Sequence, residues 1–353
     1  MTKLTALKQR VATISVLGLI LLWVSGCVSA AGIDPVTLVA VQDSKGKSLL
    51  YRSIRSDHGS NVVGIFKQIL SKGGGSLTVK IQRSIDGKLR DTIVAPLREQ
   101  GQETIDDQKR MSTVLPCEKM VLVQPSTRNV QDYELRVTLL ERNYLVSSEK
   151  GPVLSGRPTI VVKAMSKSPE LGGVRIAFDE ASAFPLRKEI ISGDGEIRLD
   201  WEVISISFPK TLDESVFRFN PSADFETINY SSPVKIRSAK EAFSVLGFMP
   251  SVPTRLPFGF AVQSMSTTDS KEWKALNMRI TDGMKRLTVY QWKPKSNESI
   301  RSGQSRSVDM IGGIKIMVVG DLDESMRQII IEAFQRQARL NAEDRPVASL
   351  DGI

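Results

Sequence analysis

The chain has 353 residues, 41% hydrophobic and 6% aromatic, with a formal charge of +9, one histidine and two cysteines. One histidine and two cysteines exclude His/Cys metal clusters and most histidine-based catalysis. The scarcity of aromatics argues against a nucleic-acid groove, which stacks bases on aromatic rings between basic side chains.

The first element is a leader. Lys3, Lys8 and Arg10 form a basic head, and Val11–Val24 is a charge-free, mostly apolar run of 14 residues. A spanning helix needs about 20 residues, so this run suits the core of a secretory signal instead. Three outcomes are open. Val24-Ser25-Gly26-Cys27 reads as a lipoprotein box, with Cys27 as the lipidated first residue of the mature chain. Small residues also allow ordinary cleavage after Ala30 or Ala31, or the segment stays as an uncleaved anchor. Lipidation is the leading reading. It gives a signal peptide over 1–26, an extracytoplasmic mature protein at the periplasm or cell surface, and membrane attachment through acyl chains, each adding about 0.8 kcal/mol per buried methylene. Residues 27–353 number 327 and carry +6, enough for two domains and suited to anionic head groups or an acidic partner. With Cys27 acylated, Cys117 has no disulfide partner and reads as a small hydrophobe near a strand start.

Residues 27–59 read as a lipid tether and a helix at Lys47–Arg55, where Leu49, Leu50 and Ile54 recur near helical spacing and Gly46 weakens any earlier start. The period then changes to two. Leu77, Val79 and Ile81 share a strand face, and Asp86-Gly87 marks a hairpin turn. The same pattern recurs in "KMVLVQPS" with Leu122, in "RPTIVVKAM" with Ile160 and Val162, and in "GVRIAFDE" with Ile176 and Phe178. A further hairpin turns at Asp194-Gly195, and its second strand shifts apolar phase after Val203, which predicts a bulge. Leu135–Tyr144 fits helix or strand.

About seven strands joined by hairpins make a curved antiparallel sheet over 60–219. A polar, turn-rich linker follows at 220–237. The segment 238–339 reads as a smaller α+β domain. In it a helix is capped by Ser238 and Glu241 and ended by Gly247, three or four strands follow, and a last helix buries Met326, Ile329, Ile330 and Phe334. Residues 340–353 are expected to be a flexible tail. The class is α+β.

At this point a family resemblance appears. Asn143-Tyr144, then Gly156-Arg157 entering a strand, then a strand ending in Asp179, then "FPLR" and a hairpin resemble the core of the RseB/MucB family, periplasmic regulators of an anti-sigma factor. The sheet also resembles the LolA lipoprotein carriers. The resemblance implies a half-barrel domain followed by a small domain over about residues 60–339. Its implied partners are a membrane anti-sigma factor or other envelope protein, and lipid or lipoprotein acyl chains. Leu77, Val79, Ile81, Leu122, Ile160, Val162, Ile176 and Phe178 are candidate lining for an acyl cavity; the same alternation also describes a filled core. The sequence departs from the family in its lipid-attachment signature and in the absence of aromatics from "DDQKRMSTVLPCEKMVLVQPS".

The chain has no HExxH, GxSxG or phosphate-loop motif, and the Asp106-Asp107 and Gly193–Glu196 segments read as turns. No catalytic residue, metal site, cofactor or nucleic acid is expected. The reading is a non-catalytic, membrane-anchored RseB-like sensor, with a LolA-like carrier or a structural envelope lipoprotein as alternatives.

Overall fold

The computed structural model describes residues 43–55, 59–70, 75–126, 133–230, 233–269, 274–294, 307–309, 313–320 and 322–343. Cys27 and the signal segment lie outside the described residues, as does His58. The chain divides into two compact units, one of residues 1–133 and 144–232, the other of 134–143 and 233–353.

The first unit opens with helix α1 (Ser44–Arg55), which buries Leu49, Leu50 and Ile54. Strands β1 (Val62–Ile69), β2 (Ser76–Arg83), β3 (Leu89–Ala95), β4 (Glu103–Asp106), β5 (Arg110–Leu115) and β6 (Met120–Pro125) follow as a meander. A second meander comprises β7 (Tyr144–Lys150), β8 (Thr159–Ser166), β9 (Gly173–Asp179), β10 (Pro185–Ile191) and β11 (Ile197–Ser207). Strand β1 pairs with both β2 and β11 and so joins the two meanders. With β12 (Glu226–Asn229) the sheet has twelve strands, in the order β12-β6-β5-β4-β3-β2-β1-β11-β10-β9-β8-β7. Every pairing is antiparallel except β12 with β6, and the end strands β12 and β7 do not pair with each other. The expected bulge is present: Ile65 faces Ser205 and Phe66 faces Val203, leaving Ile204 unopposed.

In the second unit, β13 (Val234–Ile236), β14 (Ala261–Asp269), β15 (Lys274–Thr281), β16 (Arg286–Trp292), β17 (Ser307–Asp309) and β18 (Lys315–Gly320) form a six-stranded sheet, in the order β13-β14-β15-β16-β18-β17. Its helices are α2 (Tyr133–Asn143), α3 (Ala239–Leu246) and α4 (Glu324–Glu343). Ser238 Oγ accepts from Glu241 N at 3.1 Å, and Gly247 closes α3 at φ 74°. On α4, Met326, Ile330, Ile331 and Phe334 are buried, whereas Ile329 is exposed.

Several details differ from the sequence reading. Helix α1 begins three residues before Lys47 because Gly46 lies inside it. A Cβ there would stand 3.2 Å from Val146 Cγ1 and 3.4 Å from Val162 Cγ1, so the missing side chain lets the helix approach the sheet. The second sheet has six strands instead of three or four. Strand β14 was hidden because Ser264, Ser266 and Thr268 occupy one of its faces and give no apolar contrast. The segment 220–237 is more than a linker, since it supplies β12 to one sheet and β13 to the other. Residues 134–143, inside the range read as half-barrel, cluster with the second unit. There Asn143 Nδ2 donates to Gly259 O at 3.0 Å and Asp282 O at 2.8 Å, and Gly283 packs so closely that a Cβ would meet Leu140 N at 2.4 Å. Helix α4 runs to Glu343, into the stretch expected to be tail. Cys117 lies just before a strand start, as read, but is exposed on the turn between β5 and β6.

Candidate functional site

The strand register places all eight candidate apolar residues on one face of the twelve-stranded sheet. Val162 faces Ile176, Ile176 faces Lys188, Lys188 faces Trp201, Trp201 faces Gln68 and Gln68 faces Leu77. Val79 and Ile81 follow two and four residues along β2, and Phe178 faces Ile160. Ile81 faces Asp91, whose row continues through Thr104 and Thr113 to Leu122. Directly opposed residues share a face, so this is one continuous surface.

The surface is covered. Each of the eight side chains is at most 7% exposed. Leu77, Val79 and Ile81 pack with Val62, Ile93 and Leu186, and Leu154 from the β7–β8 loop sits against the same cluster. Leu122 belongs to a separate cluster with Leu115, Met120 and Ile228. Near Val162 the cover is α1, through the close approach at Gly46.

Two polar fastenings hold these covers. Asp43 holds α1: its Oδ1 accepts from Lys45 N at 2.9 Å and Gly46 N at 3.3 Å, an N-cap, while its Oδ2 accepts from the Ser148 hydroxyl on β7. The Ser148 bond is the leading reason its carboxyl sits below the usual value. Asp43→Ala is expected to cost about 1–2 kcal/mol, one cap plus one hydrogen bond. It should also speed hydrogen exchange in α1 while leaving β9 and β10 protected; equal protection in α1 would refute the fastening.

The second fastening holds the β7–β8 loop. Arg157 reaches Asp179 with two bonds, Nε to Oδ1 at 2.8 Å and Nη2 to Oδ2 at 2.9 Å. Ser182 N donates to the same carboxylate at 2.8 Å. The Arg157 guanidinium also lies 4.7 Å over the Phe208 ring. Burial pushes the Asp179 pKa up, but Arg157 and Ser182 outweigh it and hold the carboxyl below its ordinary value. A third pair, Lys188 Nζ to Asp200 Oδ2 at 2.9 Å, is buried and lies where β11 has an extra residue opposite β10.

Sequence reasoning missed all three pairs. A signal existed for the third, since Lys188 occupies the apolar phase between Leu186 and Ile190. On the opposite face a cavity of about 210 Å³ is lined by Pro152, Val161, Arg175, Ala177, Arg187 and Glu189. Glu189 pairs with Arg175 at 3.3 Å and Arg187 at 2.8 Å, so this cavity is charged and unsuited to an acyl chain. Among the described residues no group of three His, Cys, Asp or Glu side chains is placed to hold a metal, and no helix is long and apolar enough to cross a membrane.

The fold defined by these units is α+β, an open half-barrel of mainly antiparallel strands with a smaller α+β unit, and it is the RseB/MucB fold. The crystal structure of MucB matches with a TM-score of 0.55 at 16% identity, covering 82% of this chain and 98% of MucB. The Pseudomonas aeruginosa MucA/MucB complex matches with a TM-score of 0.58 at 15% identity, covering 81% and 97%. MucB in complex with MucA(peri) matches with a TM-score of 0.56 at 15% identity, covering 83% and 97%. No protein-family model matches the chain, and no curated protein matches it.

Proposed function

We propose that this protein is a non-catalytic, RseB-like envelope regulator that binds a membrane anti-sigma protein. The observation that carries the reading is the match of nearly the whole of MucB over more than four fifths of this chain, including two structures in which MucB is held with MucA. Cys27 carries lipid and keeps the protein on the extracytoplasmic side of a membrane. The covered face with Val162 and Ile176 takes an acyl chain when α1 and the β7–β8 loop give way, so lipid occupancy and partner binding are coupled through these covers.

The test is a pull-down of the full-length protein from detergent-solubilised envelope, with mass spectrometry of proteins and lipids. Recovery of a membrane protein whose cytoplasmic part binds a sigma factor is expected. Cys27→Ala should abolish fatty-acid labelling and release the protein from the membrane fraction. No protein partner would sink the regulator reading. No saturable binding of a fluorescent fatty acid by wild-type protein would sink the acyl-chain reading. Both failures together would leave a structural lipoprotein.

A further inference from the structure

The apolar face of the first unit carries a stripe of aromatic rings. Trp201 on β11 stands beside Phe66 on β1 with ring centroids 5.4 Å apart. Phe66 meets Phe184 at 6.3 Å, and Phe184 meets Phe208 at 6.1 Å, spacings at which aromatic rings attract. Arg157 lies over Phe208, so the stripe ends at the β7–β8 loop. Phe184 is buried, but Trp201, Phe66 and Phe208 are each partly exposed. Leu70 and Ile206, packed on the same cluster, are also partly exposed. The cover is thinner here than over Val162 and Ile176.

One neutral polar side chain interrupts this face at the Trp201 end. Gln68 stands between Trp201 and Leu77 in the cross-strand row, two residues along β1 from Phe66. It is 5% exposed, and its carboxamide makes no hydrogen bond with any described residue. Neither atom of the carboxamide tip is wholly sealed off, so a bound group can reach it. Keeping a polar group this deep among apolar neighbours without a partner is costly. On the other side of Trp201, Lys188 is matched by Asp200, so this end of the stripe carries no spare charge.

The occupant that fits has one neutral hydrogen-bonding group and a long apolar tail. A peptide brings polar backbone groups at every residue and meets one partner here. A free carboxylate or phosphate brings a charge that the matched Lys188 does not neutralise. An acyl ester or amide brings one carbonyl and a tail. We infer that Gln68 recognises the carbonyl of an acyl ester or amide, with Nε2 donating to it, and that the tail lies along Trp201, Phe66 and Phe208 towards the β7–β8 loop. The inference rests on the acyl-chain reading above and adds which part of the ligand is recognised, and by which residue.

The experiment uses the mature full chain and three probes with the same dihydroxypropyl head and the same tail length: a lauroyl ester, the matching lauroyl amide, and a dodecyl ether that lacks the carbonyl. Calorimetric titration should show wild-type protein preferring ester or amide over ether by about tenfold, the size of one hydrogen bond to an otherwise unpaired group. Which of the two binds tighter tells ester from amide ligands. Gln68→Leu should bring the ratio to near one and leave ether binding in place. Its melting temperature should stay level or rise, because an unpartnered amide has been removed. An ester with a brominated tail should quench tryptophan fluorescence in wild-type protein and lose that effect in Trp201→Phe. Equal affinity for ester, amide and ether, a preference that survives in Gln68→Leu, a fall in melting temperature for that variant, or quenching unchanged in Trp201→Phe would each overturn the inference and leave the acyl-chain reading standing. Failure of all three probes to bind would overturn both.

Discussion

Arg157→Met is expected to destabilise the first unit by about 3 kcal/mol, the lower end for breaking a buried pair, because Arg157 keeps partial contact with water while Asp179 does not. The variant removes both guanidinium bonds and the contact over Phe208, and leaves the carboxylate with Ser182 alone. The pH dependence is the sharper reading. In wild-type protein the Asp179 pKa is lowered on folding. Its contribution is therefore complete above the unfolded value of about 3.9 and is lost as pH falls through the folded value. In Arg157→Met only Ser182 opposes burial, so the folded pKa is expected to move up from its wild-type position. The variant then loses less stability than wild type as pH falls from 7 to 3.5, and gains it if the folded pKa passes the unfolded value. Urea midpoints at pH 7, 5 and 3.5 give both slopes. Parallel slopes would mean that Arg157 and Asp179 are not coupled in solution.

The pair also shows what the sequence could and could not reveal. Strand faces were legible because alternation of Leu77, Val79 and Ile81, or of Ile176 and Phe178, has one physical cause: a pleated strand buries every second side chain. The bulge was legible for the same reason, as a break in phase. The α3 helix was legible because Ser238, Glu241 and Gly247 are local signals. What closes the face was not legible. Asp43 with Ser148, and Arg157 with Asp179, are contacts between residues 105 and 22 positions apart, and charge alone does not say which acid meets which base. The motif residues Gly156-Arg157, Asp179 and Phe184 carried the resemblance, and the structure supplies their cause. They are the fastening of the β7–β8 loop and one wall of the cluster that it covers. Whether the apolar face is open or filled was undetermined by alternation, because a buried face looks alike in sequence whatever covers it.

Val162→Asp and Val161→Asp form the second test, with identical chemistry on opposite faces. Val162 is fully buried and approached by α1 at Gly46. A carboxylate there loses the packing of a core side chain and has no cation on its row nearer than Lys188, two strands away and paired with Asp200. The expected loss is on the order of 5 kcal/mol, enough to unfold a marginally stable unit. Ile176 is a less clean probe, since Lys188 stands directly opposite it and could receive the new charge. Val161 is also buried but lines the charged cavity with Arg175 and Arg187. Val161→Asp should lose less, about 2–3 kcal/mol: the burial of one valine, with the two guanidiniums already shared with Glu189 and with Glu149 directly opposite limiting any offset. Chemical denaturation of both variants decides the matter. Equal losses would mean that the two faces are not chemically distinct. A folded Val162→Asp protein that no longer binds the fluorescent fatty acid would show that water and ligand reach this face in solution, and that α1 is a movable cover. An unfolded one would show that α1 and the sheet form a single core, so that any acyl chain must displace the helix to bind.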